Sequence, residues 1–311
     1  MFPIVVSLGE LLVEIMRTQV NQPLDQPANF IGPFPSGAPA IFIDSVARLG
    51  IPTGYIGAVG TDPFGDCIVQ RLKNDQVDIS HVKSVPGMTT GIAFVAYRSD
   101  GGRDFVFHLS QSAASMLNPD DIQPDYLKTV KFLHITGSAL SFSENSRQAC
   151  YKAIQIVKQT GGKVSFDPNI RPELMGIEKL RSICEPVLNV CDLLLPSSAE
   201  ATTLSGKTDE IQACQSFVKR GISIVALKQG ASGSTIFTMG ETFKSEPISV
   251  KEIDPTGAGD CYGGAFVVGL LSGWELRKIA RFANVVGGLA VTQVGPMEGA
   301  PFMNQVIHYI N

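Results

Sequence analysis

The sequence predicts an α/β fold: a mainly parallel central sheet covered by helices on both faces, with a small β element set beside it. Three observations lead there. Short runs rich in Ile, Val and Leu recur at residues 3–8, 52–59, 130–136, 163–167, 191–196 and 222–228, the pattern of strands buried on both sides. Helical patterns with readable ends lie between several of these runs, and that alternation favours parallel pairing. With 311 residues, 44% hydrophobic and 17% charged, the chain can bury a full core, and we read residues 1–311 as one domain.

The elements follow in order. Met1 to Val6 carries no basic residue and meets Glu10 early, so it reads as a first strand and not a leader. Asp62-Pro63 opens a helix that sets Ile68 and Leu72 on one face. Gly91–Tyr97 and Arg103–Leu109 flank Ser99-Asp100-Gly101-Gly102, an antiparallel hairpin whose turn tolerates positive φ. Phe105, Phe107 and Leu109 give it one apolar face, and nothing in the parallel plan needs it. Together with the segment near 12–35 it is expected to form a small sheet across the C-terminal edge of the main one. Residues 144–160 place Ala149, Ala153 and Val157 on one helical face and end at Gly161-Gly162.

A strand-like run ending near Ile253 leads into Asp254-Pro255-Thr256-Gly257-Ala258-Gly259-Asp260, which opens an apolar helix reaching about Ser272. Glycines at a helix start expose unpaired amide N–H groups, and the helix dipole adds partial positive charge there. Asp260 sets a carboxylate in the same turn. An anion cradle beside a carboxylate suits transfer of a phosphoryl group to a hydroxyl. The glycine spacing also imitates a dinucleotide fingerprint, but it lies far from the first strand. No acid occurs between Arg277 and Gly288 to hold a ribose.

Composition narrows the partners. A net charge of −4 without any Lys/Arg block leaves no footprint for nucleic acid. The longest apolar stretch, around Ala265–Leu271, is too short to cross a bilayer. The cysteines (67, 150, 184, 191, 214, 261) form no Cys-x-x-Cys pair; they read as free thiols of a cytoplasmic protein, Cys261 included.

Several stretches together carry a family resemblance. Asp254 to Asp260 resembles the signature of the ribokinase-like (PfkB) carbohydrate kinases. So do Ser36-Gly37-Ala38-Pro39-Ala40 with Ala47-Arg48-Leu49-Gly50, then Gly57-x-x-Gly60-x-Asp62-x-x-Gly65. Ser165 to Pro172 resembles the fructokinase and 2-keto-3-deoxygluconate kinase branches. The resemblance implies a three-layer ribokinase-like fold whose small sheet, segments 12–35 and 90–110, is a lid and in some members the homodimer contact. It implies ATP with Mg²⁺ as cofactors, leaves K⁺ open, and makes a small sugar the other partner.

Site residues follow by the same resemblance. Asp260 is the general base, and Gly257, Ala258 and Gly259 form the anion hole. Lys228, Gly230, Ser232 and Gly233 lie along ATP, with Asn284 near adenine between Ala280 and Gly287. Glu200 organises Mg²⁺ through water, although Ser197 stands where relatives have Asn. Asp254 and Thr256, with the loop 290–295, mark a candidate K⁺ site. Glu14, where relatives usually have Asp, binds the sugar with Gly37 and Arg171. Ile41 and Leu109 replace a usual Asn and Arg. The expected reaction is phosphorylation of a hydroxymethyl group on a ribose- or fructose-like sugar. The alternatives are a 2-keto-3-deoxygluconate-type sugar-acid kinase and a catalytically inactive sugar sensor.

Overall fold

The computed structural model describes residues 2–309. In chain order these form strands β1 (Val5–Gly9), β2 (Leu12–Arg17) and β3 (Phe30–Ser36), helix α1 (Ala38–Arg48), β4 (Thr53–Gly60), α2 (Pro63–Asn74), β5 (Asp78–Val85) and the hairpin β6 (Gly91–Tyr97) and β7 (Arg103–His108). Next come α3 (Pro124–Leu127), β8 (Phe132–Thr136), α4 (Gly137–Ser141), α5 (Glu144–Gln159), β9 (Lys163–Asp167), α6 (Ile177–Leu188), β10 (Leu193–Leu194), α7 (Ser198–Ser205) and α8 (Glu210–Lys219). The last group is β11 (Ile224–Lys228), β12 (Ser234–Phe237), β13 (Thr242–Ser245), α9 (Ala258–Leu271), α10 (Leu276–Ala290) and α11 (Met303–Val306).

Nine strands make the large sheet in the order β13-β12-β11-β10-β9-β8-β1-β4-β5. From β11 to β5 every pairing is parallel; only β12 and β13 run antiparallel, at one edge. The α/β expectation therefore holds. Strand residues alternate between two apolar layers. Val6, Leu8, Leu133, Ile135, Val225 and Leu227 pack with helices α5, α6 and α8 on one face. Val5, Phe132 and Ala226 pack with α1, α2, α9 and α10 on the other. Helix α9 is buried continuously from Cys261 to Gly269, so it sits inside the second layer and not on its surface.

A second sheet, β3-β2-β6-β7, is built from two distant parts of the chain, with β2 and β6 side by side in parallel. Asp62 roots it. Its carboxylate caps α2 through Phe64 N and Gly65 N and also accepts from Thr90 N (2.7 Å) and the Thr90 hydroxyl (2.8 Å), just ahead of β6.

Three local readings need correction. The strand expected over 191–196 shrinks to Leu193–Leu194, because the Asp192 carboxylate takes Val164 N (2.8 Å) and Pro196 has no N–H to give. No strand leads up to Ile253: the N–H groups of Ile253 and Asp254 both donate to Val291 O, fastening an irregular segment to the end of α10. The edge strands β5 and β13 go beyond the expected set; β5 is only half-buried and lacks a continuous apolar run.

Candidate active site

Parallel strands end on one side of a sheet, and ligands gather in the crevice beyond those ends. Here a cavity of about 410 Å³ opens there, between the large sheet, the small sheet and the start of α9. Five strand ends deliver polar groups to it: Glu10 after β1, Ser138 after β8, Asp167 and Asn169 at β9, Ser197 after β10, Lys228 at β11. The small sheet contributes Leu12, Glu14, Arg103, Phe105 and Phe107.

The turn before α9 forms one wall. Gly257 has φ 81°, and a Cβ there would collide with the Pro296 carbonyl oxygen, so only glycine fits. No side chain caps this helix. Among the described residues the N–H groups of Gly257, Ala258, Gly259 and Asp260 find no acceptor. Behind the turn, Asp254 is fully committed: Oδ1 accepts from Tyr97 O–H (2.8 Å) and Thr256 N (3.0 Å), and Oδ2 from Gly295 N (2.9 Å).

Charges crowd the remaining walls. Glu10 accepts from the Ser138 hydroxyl (2.6 Å) and Glu14 from the Ser36 hydroxyl (2.7 Å), yet Oε2 of each has no partner. Burial pushes both acids up to about 7, against the pull of those serine bonds. Asp260 is half-buried and lines the cavity. Burial raises its carboxyl, the neighbouring Asp167 adds to that, and Lys228 and Arg171 pull partway back. Lys228 Nζ bonds Asp167 Oδ2, and the same ammonium lies beside Gly259. Burial works against charge on both partners. Asp167 and Glu200 nonetheless hold the Lys228 ammonium above its ordinary value, and we take the pair as ionised.

The structure thus brings Glu14, Gly37, Arg171, Glu200, Lys228, Gly230, Thr256, Gly257, Gly259 and Asp260 to one cavity. Others lie apart. Ala258 sits in the turn without lining the cavity, and Ser232 is exposed in the β11–β12 connection, with Gly233 next to it. The Asn284 amide is spent on Ser245 O (2.9 Å), Ser245 Oγ (3.1 Å) and Glu246 O (3.1 Å), which ties α10 to the exit of β13. Cys261 is fully buried, and burial pushes its thiol well up, as an inert core residue requires. Sequence reasoning missed Glu10, Ser138, Asp167, Asn169 and Arg103. Glu10 and Asp167 had a usable signal, an acid at the end of an expected strand.

Fold and cavity together define a class: an α/β enzyme whose strand-end pocket pairs an open amide turn with acids facing hydroxyl-sized space, a small-molecule phosphotransferase. The comparisons give the family. The chain belongs to the pfkB family of carbohydrate kinases, whose family model matches residues 4–303. It is 35% identical over 306 residues to a fructokinase of Escherichia coli, covering 94% of this chain and 95% of that one. It is 28% identical to a 5-dehydro-2-deoxygluconokinase of Geobacillus thermodenitrificans, covering 98% and 92%. An E. coli structure provisionally described as ribokinase II, in complex with ATP and Mg²⁺, superposes with a TM-score of 0.93 at 42% identity, covering 99% of both chains. The chain is a sugar kinase of this family. No helix among the described residues is long and apolar enough to cross a membrane.

Proposed function

We propose that the protein transfers the terminal phosphoryl group of ATP to a hydroxymethyl group of a small, ribose- or fructose-like sugar. The observation that carries this is the uncapped turn Gly257–Asp260: a set of amides without acceptors beside a carboxylate that no protein group holds. Asp260 takes the proton of the attacking hydroxyl. The amides of Gly257, Ala258 and Gly259 meet the charge spreading over the phosphoryl oxygens. Lys228 stands beside that turn and adds positive charge while its bond to Asp167 fixes its position. Glu10 Oε2 and Glu14 Oε2 are buried acceptors without donors, which sugar hydroxyls supply. The small sheet, carrying Phe105 and Phe107 over the pocket, acts as a lid that keeps water from competing as acceptor.

The donor set suits Mg²⁺. Glu200 lines the cavity, and its oxygens accept from Ser197 N (2.7 Å) and Ile170 N (3.0 Å), leaving lone pairs for metal-bound water. Mg²⁺ would arrive on the phosphates, neutralise their charge and keep much of its hydration. The fit for K⁺ is narrower. Three donors already occupy the Asp254 carboxylate, so main-chain oxygens near Thr256 and in the loop 290–295 are the candidates. On the nucleotide side, Gly230 reaches the cavity, whereas Ser232, Gly233 and Asn284 do not line it.

One observation favours a second reading. Arg103 and Arg171 flank Phe105 at 5.6 and 5.8 Å from its ring, and among the described residues neither forms an ion pair. Two half-buried guanidiniums without carboxylate partners suit an acceptor that carries its own carboxylate, a sugar acid.

The test measures ADP formation with ribose, fructose and 2-keto-3-deoxygluconate, with Asp260→Asn alongside. Turnover on a neutral sugar, lost in the variant, supports the first reading, and turnover confined to the acid supports the second. Tight sugar binding without turnover on any of them would leave a sensor and overturn both.

A further inference from the structure

Four side chains on two separate parts of the chain form one ordered hydrogen-bond chain behind the catalytic turn. Arg103 Nη1 lies 3.2 Å from Thr256 Oγ1, Thr256 Oγ1 lies 2.9 Å from the Tyr97 hydroxyl, and that hydroxyl lies 2.8 Å from Asp254 Oδ1. Donor accounting fixes the direction. A guanidinium only donates, so Thr256 accepts from Arg103; because the one Tyr97 proton is needed by the Asp254 carboxylate, the Thr256 proton goes to the Tyr97 oxygen. Tyr97 then gives its proton to the Asp254 carboxylate. Met16 Sδ lies 3.2 Å from the same phenol oxygen. Burial and Asp254 push the phenol far above its ordinary value, so Tyr97 stays a donor throughout the working range.

Tyr97 and Arg103 face each other as register partners at the turn end of the β6–β7 hairpin. The same hairpin carries Phe105 and Phe107 into the cavity. Thr256 immediately precedes Gly257, and Asp254 binds Gly295 N on the other side of the turn. We infer that Tyr97 is a positioning residue: its hydroxyl locks the small sheet to the turn carrying Gly257–Asp260, so that seating the acceptor against the sheet and aligning the amide turn are one event. Tyr97 touches neither reactant in this account. It acts through Asp254 and Thr256. The inference rests on the reading of Asp260 and the amide turn given above.

Tyr97→Phe keeps the ring and deletes the hydroxyl, and with it the contact to Met16 Sδ. We expect kcat to fall between ~10- and 100-fold through misalignment of the turn, with the KM for ATP nearly unchanged. ADP formed per sugar phosphorylated should rise above unity. Thr256→Val breaks the same chain one link on and should match it, with the double variant no worse than either single one. Tyr126→Phe, which loses only a 3.1 Å bond to Asp78 outside the cavity, is the control for general loosening. Wild-type kcat and coupling in Tyr97→Phe would overturn the inference; so would additive losses, or equal losses in the Tyr126 control. If Tyr97→Phe fails to fold, Thr256→Val decides alone. Asp260→Asn separates the two claims: an active Asp260→Asn sinks the reading of Asp260 as the base, whereas an inactive one beside a fully active Tyr97→Phe sinks the lock alone.

Discussion

Asp260→Asn removes one negative charge from a cavity already holding Glu10, Glu14 and Asp167, and it preserves side-chain volume. Burial and Asp167 raise the carboxyl of Asp260 in the folded protein, so its ionisation there works against stability. The sign follows from linkage. Below about pH 4, near the unfolded pKa, the group is protonated in both states, and wild type and variant should melt together. As pH rises, the unfolded carboxylate ionises freely while the folded one resists. Wild type therefore loses stability relative to Asn until pH passes the raised folded value, where the gap levels off. Each unit of displacement is worth about 1.4 kcal/mol. Because the side chain meets water through the cavity, and Lys228 and Arg171 oppose the shift, we discount the gain to about 1 kcal/mol. That corresponds to a Tm roughly 2 °C higher for the variant. Turnover should fall by ~10²–10⁴. In the wild type, kcat/KM should climb with pH along a limb above the usual carboxylate range. Thermal melts across pH, paired with initial rates, read both effects. A melting gap that is flat with pH or reversed in sign would refute the electrostatic argument, and full turnover by Asn would refute the base.

Two further outcomes follow. Lys228→Met leaves the Asp167 carboxylate buried without its cation, at a cost of ~3–5 kcal/mol visible as a lower denaturation midpoint; an unchanged midpoint would mean the pair is not ionised. Gly257→Ala forces a side chain into a left-handed turn against the Pro296 carbonyl, displacing the amides; kcat should drop by ~10²–10³ at saturating sugar, and a normal kcat would remove those amides from the mechanism.

The sheet and its parallel sense were legible because buried strands announce themselves as short aliphatic runs, and the hairpin because its turn and alternation are local. Strand β5 was not, since an edge strand with one solvated face carries a diluted pattern. The same divide runs through the site. Asp260 and its turn belong to one contiguous motif. Glu10 and Asp167 could have been read from the rule that strand ends build the pocket. The bond from Tyr97 to Asp254 joins positions 157 residues apart, and no local pattern encodes it. Nor does sequence reveal that Asn284 turns its amide to the β13 exit, because that choice depends on which carbonyls the fold leaves within reach.

The parallel contact between β2 and β6 has a practical consequence. The small sheet is not a continuous insert: residues 12–36 and 91–108 meet only after α1, β4, α2 and β5 have been laid down between them. Closing that long excursion costs entropy before any pairing rewards it, so this sheet should form late, on a framework already in place. Anyone grafting a different acceptor preference onto this scaffold must therefore exchange two stretches of chain at once, because a chimera carrying either alone would lay a foreign strand beside a native neighbour.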